Sequence, residues 1–351
     1  MKTLAKLPVT IVTGFLGSGK TTLLRHMLDN AQGRRIAVIV NEFGELGIDG
    51  EILKQCSIGC TEEEATGRVY ELANGCLCCT VQEEFFPVMR ELVARRGDLD
   101  HILIETSGLA LPKPLVQAFQ WPEIRNACTV DAVITVVDSP AVAAGTFAAY
   151  PDQVDAQRKL DPNLDHESPL HELFADQLAS ADLVVLNKAD LIDAEGLAKV
   201  RAEVAEELPP AVKVVEASSG KLPLEVLLGV GAESEAHITH HDSHHDGDDH
   251  DDHDHDAFDS ISIDLPEADE SLLLDALTQL VVEFGILRAK GFAAIPGKPM
   301  RLLVQGVGTR FDKHFDRAWR ADEPRITRLV LIGQDLDAAQ LEARLRQALG
   351  A

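Results

Sequence analysis

The sequence predicts an α/β fold with a mostly parallel sheet, followed by a smaller C-terminal α+β domain. Three features carry that expectation. From Val9 to about Val230, short Val- and Ile-rich runs alternate with amphipathic stretches, the pattern of a parallel sheet wrapped by helices. From Glu233 to Asp256 the composition shifts abruptly to His and Asp. Beyond that tract, the remaining 95 or so residues read as strand, helix, strand pair, strand and helix.

The expected strands of the first part are Val9 to Thr13, Arg35 to Asn41, Arg68 to Leu72, His101 to Thr106, Ala132 to Asp138, Leu183 to Asn187 and Val212 to Ala217. The expected helices are Lys20 to Asn30, Val81 to Arg95, Leu170 to Ala181 and Ala194 to Leu208. The last part reads as a strand at Phe258 to Leu265, a helix at Glu270 to Phe284, strands at Leu287 to Ile295, Leu302 to Gly306 and Arg325 to Ile332, and a helix at Ala338 to Leu349. The expected domains are 1–232, a linker at 233–256, and 257–351. The linker holds His237, His240, His241, His244, His245, His250, His253 and His255, 8 of the chain's 13 His, and offers too little apolar surface to offset the entropy of ordering.

Composition narrows the function. With 32 Lys plus Arg against 58 Asp plus Glu the formal charge is −26, a field that repels nucleic acid and anionic membranes, so neither is an expected partner. The N-terminal Met1 to Pro8 has no apolar signal core and no stretch is long and apolar enough to span a bilayer, which predicts a cytoplasmic protein. Six Cys in 351 residues do not make a disulfide framework, and three of them fall within four positions.

Gly14-Phe15-Leu16-Gly17-Ser18-Gly19-Lys20-Thr21-Thr22 matches GxxxxGK[ST] after an apolar strand and before a helical pattern, the context of a P-loop nucleotide site. Gly17 and Gly19 let backbone N–H groups turn toward phosphates, Lys20 reaches the β and γ oxygens, and the Thr21 hydroxyl is a Mg²⁺ ligand. Asn187-Lys188-Ala189-Asp190 closes another strand and resembles the guanine-reading motif of P-loop GTPases. A carboxylate at Asp190 can accept from guanine N1–H and the exocyclic amine. The plainer reading makes Asp190 the cap of the next helix. Glu216-Ala217-Ser218-Ser219-Gly220-Lys221 looks like the last base-contacting loop of such proteins.

Glu105-Thr106-Ser107-Gly108 stands where many GTPases carry DxxG, which puts Glu105 near Mg²⁺ or its water and the Gly108 N–H near the γ-phosphate. Lys20 and Glu105 are the expected catalytic residues. No arginine finger or catalytic Gln can be assigned, so intrinsic hydrolysis should be slow.

Cys76, Cys78 and Cys79 precede the Val81 helix, whose dipole favours anions, and predict a site for a soft or borderline divalent cation. In an extended segment Cys76 and Cys78 share a side and Cys79 faces the other. A fourth ligand must come from water, a side chain such as Glu45, or a partner. Cys56 and Cys60 could add ligands or form a redox pair; Cys128 reads as core packing. The His/Asp tract has the composition of a weak metal buffer.

Residues 14–22, Asn41-Glu42-Phe43-Gly44-Glu45, the CxCC at 76–79, residues 105–108 and 187–190, the His-rich linker and a terminal domain containing Arg288-Ala289-Lys290-Gly291 together resemble the CobW family of GTPase metallochaperones across essentially the whole chain. The resemblance implies that Mg²⁺ and GTP order switch segments, about Asn41 to Asp49 and the CxCC region, and so assemble a tight metal site that hydrolysis to GDP loosens. It also implies a metal-receiving partner, a cobaltochelatase if the cargo is Co²⁺ for cobalamin biosynthesis. A homodimer stays open. Three thiolates do not select Co²⁺ over Zn²⁺ by affinity, so a Zn²⁺ chaperone on the same scaffold and a GTP-regulated metal buffer or sensor are the alternatives. A P-loop kinase or ATPase conflicts with Asn187 to Asp190.

Overall fold

A computed structural model describes residues 6–31, 33–41, 69–72, 85–151, 154, 170–209, 212–228, 258–320 and 323–350. The chain divides into two compact units, Leu4–Leu227 and, C-terminal to it, Leu228–Ala351.

The first unit is a seven-stranded sheet in the order β3-β2-β4-β1-β5-β6-β7, with β1 Leu7–Thr13, β2 Ile36–Asn41, β3 Val69–Leu72, β4 His101–Glu105, β5 Cys128–Asp138, β6 Leu183–Asn187 and β7 Lys213–Ala217. Every pairing is parallel. The longer helices are α1 Lys20–Asp29, α2 Phe86–Ala94, α6 Leu170–Ala179 and α7 Ala194–Glu207; shorter ones are α3 Pro112–Ala118, α4 Pro122–Arg125, α5 Ser139–Ala143 and α8 Leu224–Leu228. β4, β5 and β6 are buried along their whole length, as expected of strands covered on both faces. Val9, Ile11, Ile39, Ile102 and Ile104 pack with Met89 and Leu92 of α2 in one core. Val184 and Leu186 pack with Phe174 and Leu178 of α6 and Val200 and Val204 of α7 in another.

Chain order reverses at β1, which has β4 on one side and β5 on the other. Such a switch point opens a crevice at the carboxyl ends of the strands. Thr13, Glu105, Asp138 and Asn187 all end strands there.

The long helices and seven strands follow the apolar periodicity within a few residues, except that β5 begins four residues earlier than expected, at Cys128, and that the expected start of the Val81 to Arg95 helix, residues 81–84, lies outside the described residues. That cysteine is buried and its thiol is pushed up to about 12 by desolvation, so it stays protonated and packs as a small apolar group. The short helices α3, α4 and α5 each carry Pro in the first turn and are too brief to display a helical repeat.

The second unit is an antiparallel sheet in the order β11-β10-β9-β12-β8, with β8 Phe258–Leu265, β9 Arg288–Ala293, β10 Met300–Val307, β11 Arg310–Ala318 and β12 Thr327–Gln334. Ile263, Ala289, Ala293, Leu302, Val304, Leu329 and Leu331 form a core with Leu273, Leu277 and Val281 of α9 Glu270–Phe284 and Leu341 and Leu345 of α10 Ala338–Leu349. β11 has no counterpart in the sequence reading, because its RFDKHFDRA run is an edge strand rich in charge. Its Asp316 accepts from Arg301, and Glu323 accepts from Arg301 and Arg317. Partial burial raises the Glu323 pKa, but hydrogen bonds from Arg317 and the Arg320 backbone, with both guanidinium charges, outweigh it and hold the carboxyl at about 2. Gly291 of the Arg288–Gly291 motif is a packing requirement: a Cβ there would lie 2.0 Å from the Arg328 carbonyl oxygen.

Candidate functional site: a nucleotide crevice at the carboxyl edge of the parallel sheet

The turn from β1 leads into a helix start that no side chain caps. Gly19 caps α1 with φ 102°, no side chain caps the helix, and its first turn has no acidic residue. By contrast Asp138, Asp193, Asp269 and Asp337 cap α5, α7, α9 and α10. An uncapped helix start whose dipole points into a crevice is suited to an anion. Within the turn, Ser18 N and the Lys20 ammonium both donate to the Phe15 carbonyl, at 3.1 and 3.2 Å. Lys20 is buried and Thr22 is exposed.

The β4 end meets this turn closely. Thr21 Oγ1 donates to Glu105 Oε1 at 3.1 Å, and Glu105 is buried. Adjacent oxygens on an octahedral Mg²⁺ with bonds of about 2.0–2.1 Å lie about 2.9 Å apart, so this pair fits neighbouring positions on that ion. Thr106 donates its backbone N–H to the Val12 carbonyl and its hydroxyl to Thr13, which welds the segment to β1. Gly108 lies flat on the turn: a Cβ there would be 2.6 Å from Leu16 N. Buried Gln177 of α6 donates to the Gly108 and Ala110 carbonyls at 3.1 and 3.3 Å.

The β6 end supplies the third wall. Asn187 is buried; its Nδ2 donates to the Ser18 carbonyl and its Oδ1 accepts from Gly220 N, both at 2.9 Å. A Cβ on Gly19 would be 2.2 Å from Asn187 Nδ2, so glycine is required for this approach. Lys188 sits in the left-handed region at φ 60° and pairs with buried Asp138 of β5, which also caps α5. The capping role considered for Asp190 belongs to Asp193, whose side chain accepts from Gly196 N at 2.8 Å. Asp190 is exposed.

Residues 14–22, 105–108, 187–190 and 218–221 therefore converge on one edge. Cys76, Cys78, Cys79, Glu45, Cys56, Cys60, residues 42–49 and the 233–256 tract lie outside the described residues. Among the described residues no group of three or more His, Cys, Asp or Glu could hold a metal ion, and no helix is long and apolar enough to cross a membrane. The sequence reading did not find Asp138 or Gln177. Asp138 carried a signal, a strand-ending Asp before Ser139-Pro140; Gln177 is one polar position in an amphipathic helix and carried none.

A parallel sheet with this strand order and these loops is a P-loop GTPase. Residues 8–216 match the family described as CobW/HypB/UreG, nucleotide-binding domain, and residues 258–349 match the Cobalamin synthesis protein cobW C-terminal domain. A Pseudomonas aeruginosa protein named Zinc chaperone CobW is 80% identical over 349 residues, covering 99% of this chain and 93% of that one. A Sinorhizobium protein of the same name is 53% identical over 97% of this chain and 96% of its own length. Escherichia coli Zinc chaperone YjiA is 31% identical over 95% of this chain and 96% of its own. The chain belongs to the CobW family, and it is a GTPase.

Asn187→Ala should weaken GTP and GDP binding by at least about tenfold, because it leaves two buried backbone groups unpaired and frees both loops. Titration calorimetry checks this, and wild-type affinity would contradict it.

Proposed function

We propose that the chain is a GTP-dependent metallochaperone that holds a divalent transition metal on Cys76, Cys78 and Cys79 while Mg-GTP is bound, and yields it to a receiving protein after hydrolysis. One observation carries the reading: Thr21, Glu105, Gly108 and the phosphate turn form a single contact set, so the Glu105–Ala110 segment registers what the turn holds. Lys20 and the amides of Gly14 to Thr22 bind the phosphates; Lys188 and Asp190 face the base, with Asn187 bracing both loops. Thr21 and Glu105 would hold Mg²⁺, which when bound neutralises charge between the β and γ phosphates. Slow hydrolysis suits a switch, since the metal-holding state must outlast the search for a recipient.

The metal motif is tied to the same edge by covalent reach. Leu72 ends β3 at the carboxyl edge of the sheet. Cys76 follows four residues later, a tether of at most about 14 Å.

For the cargo, Zn²⁺ is the reading we favour. The relatives at 80% and 53% identity are named zinc chaperones, and the affinity order ranks Zn²⁺ above Co²⁺ at sulfur-containing sites. Co²⁺ delivered to a cobaltochelatase is the second reading, supported by the description of the C-terminal domain as that of a cobalamin synthesis protein. The His/Asp tract would act as a local metal reserve, and the site of action would be the cytoplasm.

Metal affinity should be at least about tenfold higher with a non-hydrolysable GTP analogue and Mg²⁺ than with GDP, as for two ligands that favour one conformer. Titrations at buffered free Zn²⁺ and Co²⁺ read this directly; equal affinities would defeat the chaperone mechanism. In the same assay Cys76→Ser with Cys78→Ser should abolish tight binding and spare nucleotide binding. Asp190→Asn should shift preference from guanine toward xanthine nucleotides, because an amide can donate to the xanthine oxygen. Unchanged GTP affinity would refute the base contact.

A further inference from the structure

Tyr150 is 54% exposed, yet its ring rests on the phosphate turn: a Cβ built on Gly17 would lie 3.1 and 3.3 Å from two Tyr150 ring carbons and 3.2 Å from Ala149 Cβ. The segment that carries it runs along the crevice. It starts at Asp138, which is paired to Lys188 at the base-facing loop, and continues through α5 to Tyr150 at the phosphate turn. Its path is fixed throughout. Lys199 of α7 donates to the Ala143 carbonyl at 2.7 Å, and the Thr146 hydroxyl donates to the Ala141 carbonyl at 3.0 Å. Ala148 is fully buried and its N–H donates to the Thr146 carbonyl at 2.7 Å. Phe147 is held at φ 59°, a conformation costly for a non-glycine residue, with its ring 5.2 Å from Phe174. Phe174 stacks in turn on Phe15 of the phosphate turn at 6.2 Å.

We propose that Tyr150 is a nucleotide-retention residue: its ring closes the lip of the phosphate turn at Gly17 and shields the bound nucleotide's phosphates from water. A segment anchored at both ends of the crevice by an ion pair and an aromatic stack, and using a strained backbone to present its exposed ring against the turn, is pre-organised for that task. Large aromatic surface left half in water gains by being covered, and ligand in the crevice supplies the cover. The proposal rests on the GTPase site described above and adds a residue that no motif marks.

Nitration by tetranitromethane, read by mass spectrometry on the wild-type chain, tests it without a variant. Tyr70 is the only other tyrosine. Saturating Mg²⁺ with mant-GDP or mant-GTPγS should slow Tyr150 nitration at least about fivefold, the scale of one aromatic contact. Mant fluorescence in the same sample reports occupancy. Unchanged nitration with the nucleotide bound overturns the proposal and leaves the nucleotide site standing, whereas no mant signal overturns both. Tyr150→Ala should release mant-GDP at least about fivefold faster than wild type, and Tyr150→Phe within about twofold of it. Wild-type release from Tyr150→Ala, or equally fast release from both variants, would rule out shielding by the ring.

Discussion

The side chain of Asn187 joins two loops that the sheet alone would leave independent. Its amide binds the Ser18 carbonyl in the phosphate turn and the Gly220 N–H in the loop after β7. The turn between β1 and α1 and the loop after β7 are thereby set at a fixed spacing by one buried group. Buried amides of this kind are valuable through the cost of leaving their partners unpaired rather than through the bond itself. Gly19 has no side chain because Asn187 takes the space a Cβ would need, so glycine in the GKT motif serves the bridge as well as the phosphate.

Around that fixed spacing, the β4 end meets the phosphate turn by side-chain contact rather than by chain continuity. The Glu105–Ala110 segment is attached to β1 through Thr106, to α1 through the Glu105 contact with Thr21, and to α6 through Gln177. A cation held by Thr21 and Glu105 would therefore act on a segment clamped at three points. The proposed switch would use this clamped segment to pass a change at the phosphates to the elements packed on it.

The strands were legible because strands buried on both faces need continuous Val and Ile, and the long helices because they repeat their apolar face over several turns. Helices α3 to α5 were not, since each spans fewer than eight residues and carries a proline in its first turn. β11 was hidden by a row of charges that protects an exposed edge and ties Asp316 to Arg301. In the crevice, the motifs with fixed glycine spacing announced themselves because backbone turns around phosphates leave little freedom of sequence. Gln177 and Tyr150 come from separate elements and act by tertiary contact, and one sequence gives such residues no local mark; Asp138 was marked only by its place before Ser139-Pro140. The structure also sets aside the plainer reading of Asp190: Asp193 caps α7, and Asp190 is exposed.

The claim that nucleotide state governs metal retention is tested most directly in time. The chain is loaded with Zn²⁺ and Mg-GTP, then followed in a single turnover with a chromophoric chelator reporting metal and a coupled sensor reporting phosphate. Metal should leave in step with phosphate and stay bound when a non-hydrolysable analogue replaces GTP. Metal leaving at one rate whichever nucleotide is present, or remaining bound after phosphate has gone, would contradict gating by the phosphate turn.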